Sequence, residues 1–258
     1  PFRAERRVML WTGTSILYSG PLSHPSTACT PHRSLALLGW IYGAYKGICS
    51  DVISSRACLG ALVKGRQMGL VDGKIAVVTA STRGIGRACA IKLAEEGAKV
   101  YVAARNRERS MELIEEIAAA GGIVDYVRFD AGDKATYAGC VNEVLSAEGR
   151  VDILVNNYGA TDVKRDFDVE HTSFEDFQDI VMDNVQSVYD TAQAAIKGLA
   201  EDGTLSIVNI ASTGGVYPDL SREAYGLAKA AIIRLTKDIA IQNARRGVRC
   251  NVVCPGSI

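Results

Sequence analysis

From Lys74 onward, short apolar runs alternate with helix-length stretches, and this alternation most limits what the chain can fold into. Apolar runs at 75–79, 99–104, 123–129, 151–155, 206–210 and 248–253 predict strands. The stretches 83–96, 107–120, 133–148, 174–199 and 221–243 predict helices, and Gly97, Gly121-Gly122 and Gly149 stand where three of them stop. Strands separated by helices of this length pair in parallel, because each crossover returns the chain along the sheet. The expected fold class is α/β: a Rossmann-type doubly wound parallel sheet with helices on both faces. Only Cys254-Pro255-Gly256-Ser257-Ile258 follow the sixth run. A Pro-Gly loop leading nowhere predicts a sheet truncated after that strand.

The first 67 residues do not share the pattern. They show no clear helical or strand period and contain Pro21, Pro25 and Pro31. The charge also divides here. Residues 1–67 are net +6 (Arg3, Arg6, Arg7, Arg33, Lys46, Arg56, Lys64 and Arg66 against Glu5 and Asp51), and the remainder is net −6 in a chain of zero formal charge. Such asymmetry suggests regions of different origin. The run from Leu35 to Ile48 is interrupted by Lys46 and is shorter than the roughly 20 residues a membrane span needs. Residues 1–67 are expected to be a non-native or weakly ordered extension. The second domain is expected at 68–258, with Met68-Gly69-Leu70-Val71-Asp72-Gly73-Lys74 as a natural start.

Seven cysteines are scattered without Cys-x-x-Cys pairing, which fits a reducing, cytoplasmic setting better than a disulfide framework. Cys89, Cys140 and Cys250 sit in apolar patterns and read as small core residues. Two of the three histidines, His24 and His32, fall in the extension, leaving His171. A histidine triad or metal site is therefore not expected. Neither a nucleic-acid nor a membrane partner is expected.

Lys74-Ile75-Ala76-Val77-Val78-Thr79-Ala80-Ser81-Thr82-Arg83-Gly84-Ile85-Gly86-Arg87 reads as a buried strand, a glycine-bearing turn and a helix start. Free N–H groups at a helix N-terminus attract phosphate. Gly84 and Gly86 let the backbone approach a pyrophosphate closely. Taken alone the turn also reads as an ordinary tight connection; its place after the first strand of a βαβ series favours the dinucleotide. At the end of the second strand an acidic residue would bind a ribose 2′-hydroxyl. The sequence has Ala103-Ala104-Arg105-Asn106 instead. Either Arg105 and Arg83 are simply solvated, or they bind a 2′-phosphate, which favours NADP over NAD.

Tyr225-Gly226-Leu227-Ala228-Lys229 puts a tyrosine and a lysine on one helical face. A cation beside the phenol lowers a pKa of about 10 and makes it a proton carrier near neutrality. Alone, Tyr-x-x-x-Lys is common on helix surfaces. Ser212, thirteen residues earlier at the end of the fifth strand, places a hydroxyl where open α/β sheets bind ligands.

Thr79-Ala80-Ser81-Thr82-Arg83-Gly84-Ile85-Gly86, Asn156-Asn157-Tyr158-Gly159, Asn184, Ser212 and Tyr225-x-x-x-Lys229, in this order, resemble the short-chain dehydrogenase/reductase family. Asp130, ending the third strand, and Pro255-Gly256, after the sixth, also match. The resemblance covers 68–258. It implies a nicotinamide cofactor and a catalytic tetrad at Asn184, Ser212, Tyr225 and Lys229. Tyr225 would exchange a proton with the substrate oxygen and Ser212 would orient that oxygen. Lys229 would bind the nicotinamide ribose, and Asn184 would hold a water linking Lys229 to solvent. Thr79, Ser81, Thr82, Arg83, Gly84, Ile85 and Gly86 would hold the cofactor on one side. Asp130 would contact the adenine, with Asn157, Tyr158, Gly159, Pro255 and Gly256 also bordering the cofactor, and Asn156 would stabilise the sheet beside it. In that family the helices at 174–199 and 221–243 commonly pair between subunits, so the resemblance also implies a homodimer or homotetramer. Ala80, Tyr158 and Ala228 depart from the family's usual glycine, alanine and serine.

Within that family, Asn156-Asn157-Tyr158-Gly159-Ala160-Thr161 and Val216-Tyr217-Pro218-Asp219-Leu220-Ser221-Arg222 resemble the bacterial NADP-dependent 7α-hydroxysteroid dehydrogenases. That implies oxidation of a 7α-hydroxyl of bile acids, with Ser212, Tyr158, Tyr217 and Tyr225 at the substrate and Pro218 beside them. The alternatives are reduction of another carbonyl, such as a 3-oxoacyl thioester, and an inactive nucleotide-binding fragment.

Overall fold

Residues 75–78 show how the sheet is built. Ile75 and Val77 join one buried apolar cluster, while Ala76 and Val78 join another on the opposite face. Successive side chains of a strand point to opposite faces. A strand buried on both therefore needs a continuous apolar run rather than an alternating one.

The computed structural model describes residues 8–12, 15–18 and 69–256. The expected start at Met68, the run 35–48, His24 and His32 lie outside the described residues. The elements are β1 (Val8–Thr12), β2 (Ser15–Tyr18), β3 (Ile75–Thr79), α1 (Gly84–Glu95), β4 (Lys99–Ala104), α2 (Arg107–Ala119) and β5 (Ile123–Arg128). They continue with α3 (Ala135–Glu148), β6 (Ile153–Asn156), α4 (Phe174–Lys197), β7 (Leu205–Ile210), α5 (Glu223–Asn243) and β8 (Val248–Pro255). No helix among the described residues is long and apolar enough to cross a membrane.

The eight strands lie in the order β2-β1-β8-β7-β6-β3-β4-β5. Strands β3 to β8 pair in parallel, giving the expected doubly wound sheet. A hairpin of β1 and β2 adds to the outer edge of β8 in antiparallel register, with Met9 opposite Cys254. No strand period marked these residues. An edge strand presents unpaired N–H and C=O groups that any extended segment can meet through its backbone alone.

Helices α1 and α2 cover one face; α3, α4 and α5 cover the other. Strand order reverses at β3, which pairs with β4 on one side and β6 on the other. At such a reversal the loops leaving adjacent strands diverge and open a crevice. A buried polar chain crosses the sheet nearby. Thr191 Oγ1 donates to Asn156 Oδ1 (2.8 Å), Asn156 Nδ2 to Asn209 Oδ1 (3.0 Å), and Asn209 Nδ2 to Thr236 Oγ1 (2.9 Å). It links β6 and β7 to α4 and α5 with these amides and hydroxyls satisfied, which is what makes polar burial tolerable.

Candidate active site

The loops leaving β3 and β6 are stitched together at the crevice. Thr79 Oγ1 accepts from Asn157 N (2.9 Å) and Tyr158 N (3.1 Å). Asn157 Nδ2 donates to Thr79 O (3.2 Å) and Ala80 O (3.1 Å). The second bond holds Ala80 at φ 51°, a left-handed conformation that costs a non-glycine residue about 1 kcal/mol or more. Gly84 is left-handed too, at φ 55°. Gly86 is required for space: a Cβ there would stand 2.5 Å from Asn157 Nδ2 and 2.6 Å from Ala80 O.

Helix α1 starts with no side-chain cap from Arg83 and no acidic residue in its first turn. Its free N–H groups are thus left to an anion. Ser81 Oγ is buried in the same turn without a partner among the described residues.

A cleft of about 490 Å³ opens over this turn and reaches the ends of β4 and β5. Thr82, Arg83, Gly84 and Ile85 border it on one side and Arg105, Asp130, Asn157, Tyr158 and Gly159 on the other; Thr79, Ser81 and Gly86, also expected at the cofactor, are not part of its lining. Arg109 also lines it and was not foreseen. Its signal was present, since it falls in the first turn of α2, just past the Asn106 cap that follows Arg105 and whose side chain accepts from Arg109 N. The donor set fits a dinucleotide: an uncapped helix start, three arginines, and no carboxylate where β4 ends. Asp130 is held at the far side, Oδ1 accepting from Gly132 N (3.1 Å) and Oδ2 from Arg128 Nη2 (3.1 Å). The Phe129 ring stacks on Tyr137 at 5.0 Å, and Tyr158 tilts against Phe129 at 5.5 Å. Tyr158 therefore lies on the side of the crevice that borders the glycine turn.

The remaining groups come from β7, α4 and α5. Ser212 follows β7, its Oγ accepting from Gly214 N (3.1 Å) to cap a short 3-10 turn at Thr213–Gly215. Tyr225 is half-buried in the first turn of α5 and Lys229 lies one turn further. Lys229 is only 2% exposed. Its Nζ donates to Ile210 O (3.2 Å) and lies 5.4 Å from the centre of the Tyr225 ring. Burial pushes its pKa down to about 8.

Asn184 is fully buried in α4, Oδ1 accepting from Ala160 N (3.1 Å) and Nδ2 donating to Ala160 O (2.9 Å) and Ile180 O (2.8 Å). Gly159 sits between these groups: a Cβ would come within 2.6 Å of Lys229 Nζ and 3.3 Å of Asn184 Oδ1. Asn184, Lys229 and Tyr225 are thus brought together beside the inner end of the cleft, with Ser212 on the adjoining strand end. Pro255 closes β8 and Gly256 follows it. Neither borders the cleft, although the adjacent Cys254 thiol faces Lys229 and is bonded by the Ser212 backbone.

Tyr217 lies elsewhere. With Val216, Pro218, Leu220 and Phe167 it lines a second, more apolar cleft of about 680 Å³, at the start of α5. Tyr158 and Tyr217, expected to face one substrate, therefore face different clefts. The reason is packing: the Tyr158 ring turns in against Phe129 and Tyr137.

The family model described as short chain dehydrogenase matches residues 74–258. A 7α-hydroxysteroid dehydrogenase of Clostridium sardiniense is 51% identical over 188 residues, covering 73% of this chain and 72% of that protein. One from Paraclostridium sordellii is 41% identical over 191 residues, covering 74% and 72%. Among solved structures, a gluconate 5-dehydrogenase from Burkholderia cenocepacia J2315, in complex with NADP and tartrate, superposes with a TM-score of 0.63 at 30% identity, covering 69% of each chain.

Proposed function

The chain belongs to the short-chain dehydrogenase family, and from that we propose that it interconverts a secondary alcohol and a ketone with NADP(H), the alcohol being the 7α-hydroxyl of a bile acid. The observation that carries this reading is the buried Lys229 ammonium, fixed by Ile210 O beside the Tyr225 ring. A cation so placed would meet negative charge that develops on the phenol while a proton is transferred.

When bound, the nicotinamide supplies or accepts the hydride. The chain's own residues do the rest. In oxidation the Tyr225 phenolate takes the proton of the substrate hydroxyl; in reduction the Tyr225 hydroxyl returns it. Ser212 Oγ orients the same oxygen. Lys229 stabilises the phenolate and holds the cofactor ribose. Asn184 Oδ1 keeps one lone pair beyond its bond to Ala160 N, enough to hold a water that refills Lys229 with protons.

Arg83, Arg105 and Arg109 support a 2′-phosphorylated cofactor, since a guanidinium meets a phosphate with two parallel hydrogen bonds. The Burkholderia relative, solved with NADP, supports the same choice. The bile-acid substrate draws on the two 7α-hydroxysteroid dehydrogenase relatives and on the apolar cleft at Tyr217. Exposed Met182 and Tyr189 on α4, and Leu227 and Ile241 on α5, support pairing of these helices in a homodimer or homotetramer. Free thiols at Cys89, Cys140, Cys250 and Cys254 suit a cytoplasmic location.

The test is substrate profiling of the purified chain with NADPH and with NADH. Turnover of 7-keto bile acids with NADPH supports the reading. Turnover of a 3-oxoacyl thioester alone refutes the substrate. Nucleotide binding without any turnover refutes catalysis by this chain.

A further inference from the structure

Helix α5 carries Tyr225 but does not cap itself. Its N-cap residue, Arg222, is left-handed (φ 65°, ψ 48°) and makes no side-chain cap; its guanidinium turns instead to Asp219 (2.6 Å). The first three N–H groups of the helix are met from a loop almost sixty residues upstream. Glu223 N donates to Phe167 O (3.2 Å). Ala224 N donates to Asp166 Oδ1 (3.0 Å) and Tyr225 N to Asp166 Oδ2 (2.9 Å).

Asp166 is 1% exposed, so its carboxylate is committed to these two donors and to the positive end of the helix dipole. The residues that follow it, Phe167 to Glu170, form one wall of the second cleft, whose other wall runs from Val216 to Arg222. One buried side chain thus fastens the cleft wall to the backbone of the proton-carrying residue.

We propose that Asp166 is a positioning residue: it fixes Tyr225 for proton transfer and locks the 166–170 wall to α5, so that a substrate seated against that wall meets the phenol in register. This rests on Tyr225 being the acid–base of the reaction. A hydrogen bond to a charged acceptor is worth enough to change a local opening equilibrium by about tenfold or more. Misplacing a reacting group by about 1 Å costs about a hundredfold in rate.

The experiment compares Asp166→Ala and Asp166→Asn with Ser173→Ala. Ser173 caps α4, its side chain accepting from Asp176 N, and serves as a control for cap loss away from Tyr225. Hydrogen exchange of the peptide spanning 222–230 reads the latch on the full chain without any substrate. Exchange about tenfold faster in Asp166→Ala, and not in Ser173→Ala, is expected. Steady-state kinetics on any ketone the wild type reduces should then show kcat lowered about tenfold to a hundredfold, with NADPH affinity within about twofold. Asp166→Asn, which keeps one acceptor, should recover part of the loss. Unchanged exchange overturns the latch. Faster exchange with wild-type kcat overturns the positioning role, as does an equal loss of kcat in Ser173→Ala. If the wild type reduces no ketone, the proposed function falls and the exchange result alone decides the latch.

Discussion

Replacing Lys229 with methionine should change how the stability of the protein responds to pH. The amine is buried and its pKa is pushed down to about 8, from 10.5. At about 1.4 kcal/mol per unit, the folded state carries a cost on the order of 3 kcal/mol for holding the charge. Below pH 8 the amine is protonated both folded and unfolded, and the fold bears the whole cost. Between the folded and unfolded pKa values the unfolded chain binds more protons, so stability rises with pH. Above the unfolded value the cost is gone. For wild type this linkage adds about 2 kcal/mol between roughly pH 7 and pH 9.5. Methionine has nearly the same length and no charge, so Lys229→Met lacks the rise. Near pH 7 it should exceed wild type by about 2 kcal/mol, the desolvation cost less about 1 kcal/mol for the donor lost at Ile210 O. Urea unfolding of both proteins without nucleotide, at the two pH values, is the assay. Subtracting the curves removes every other titrating group. Curves that rise in parallel would refute the burial argument.

Other substitutions report on the site more directly. Tyr225→Phe should lower turnover by about 10²-fold to 10⁴-fold while NADPH still quenches or shifts protein fluorescence as before; retained turnover refutes the acid–base assignment. Arg105→Glu should weaken NADPH about tenfold to a hundredfold in a binding titration and leave NADH within about threefold; equal weakening of both would remove the 2′-phosphate contact. Gly86→Ala forces a Cβ to 2.6 Å from a backbone oxygen, so the melting midpoint should fall by the equivalent of about 1–3 kcal/mol and nucleotide binding should weaken; a wild-type melt would contradict the packing.

Strand β4 emerges with the bounds its apolar run predicts, Lys99–Ala104, because burial on both faces leaves a continuous signal. Strand β6 shifts: 151–155 was expected and Ile153–Asn156 is found. Asp152 precedes the strand, its backbone still bonded to Ile75 O and Ser206 N and its carboxylate accepting from Ile75 N at 2.8 Å. Asn156 stays in because Asn209 and Thr191 meet its amide. Both partners are distant in sequence, so no local pattern marks them. The start of α5 at Glu223 rather than 221 has the same cause, a cap reaching back from Asp166. The glycine turn and the Tyr225–Lys229 pair were legible because their chemistry depends on spacing within one turn or one helix. Tyr158 was only partly legible. Its place after β6 follows from the motif, but the direction of its ring depends on Phe129 and Tyr137, which arrive from other elements.

The reversal of strand order at β3 also sets a timetable for assembly. As the chain is synthesised, β3 and β4 are both exposed within about thirty residues, and a short crossover can join them early. The other edge of β3 must wait for Ile153–Asn156, after two further helices have been made. During that interval Ala76, Val77 and Val78 present an apolar strand with one open edge. That exposed edge is where a half-made molecule would pair with another copy, so slow completion of α3 should aggregate the nascent chain before it ever weakens the finished one.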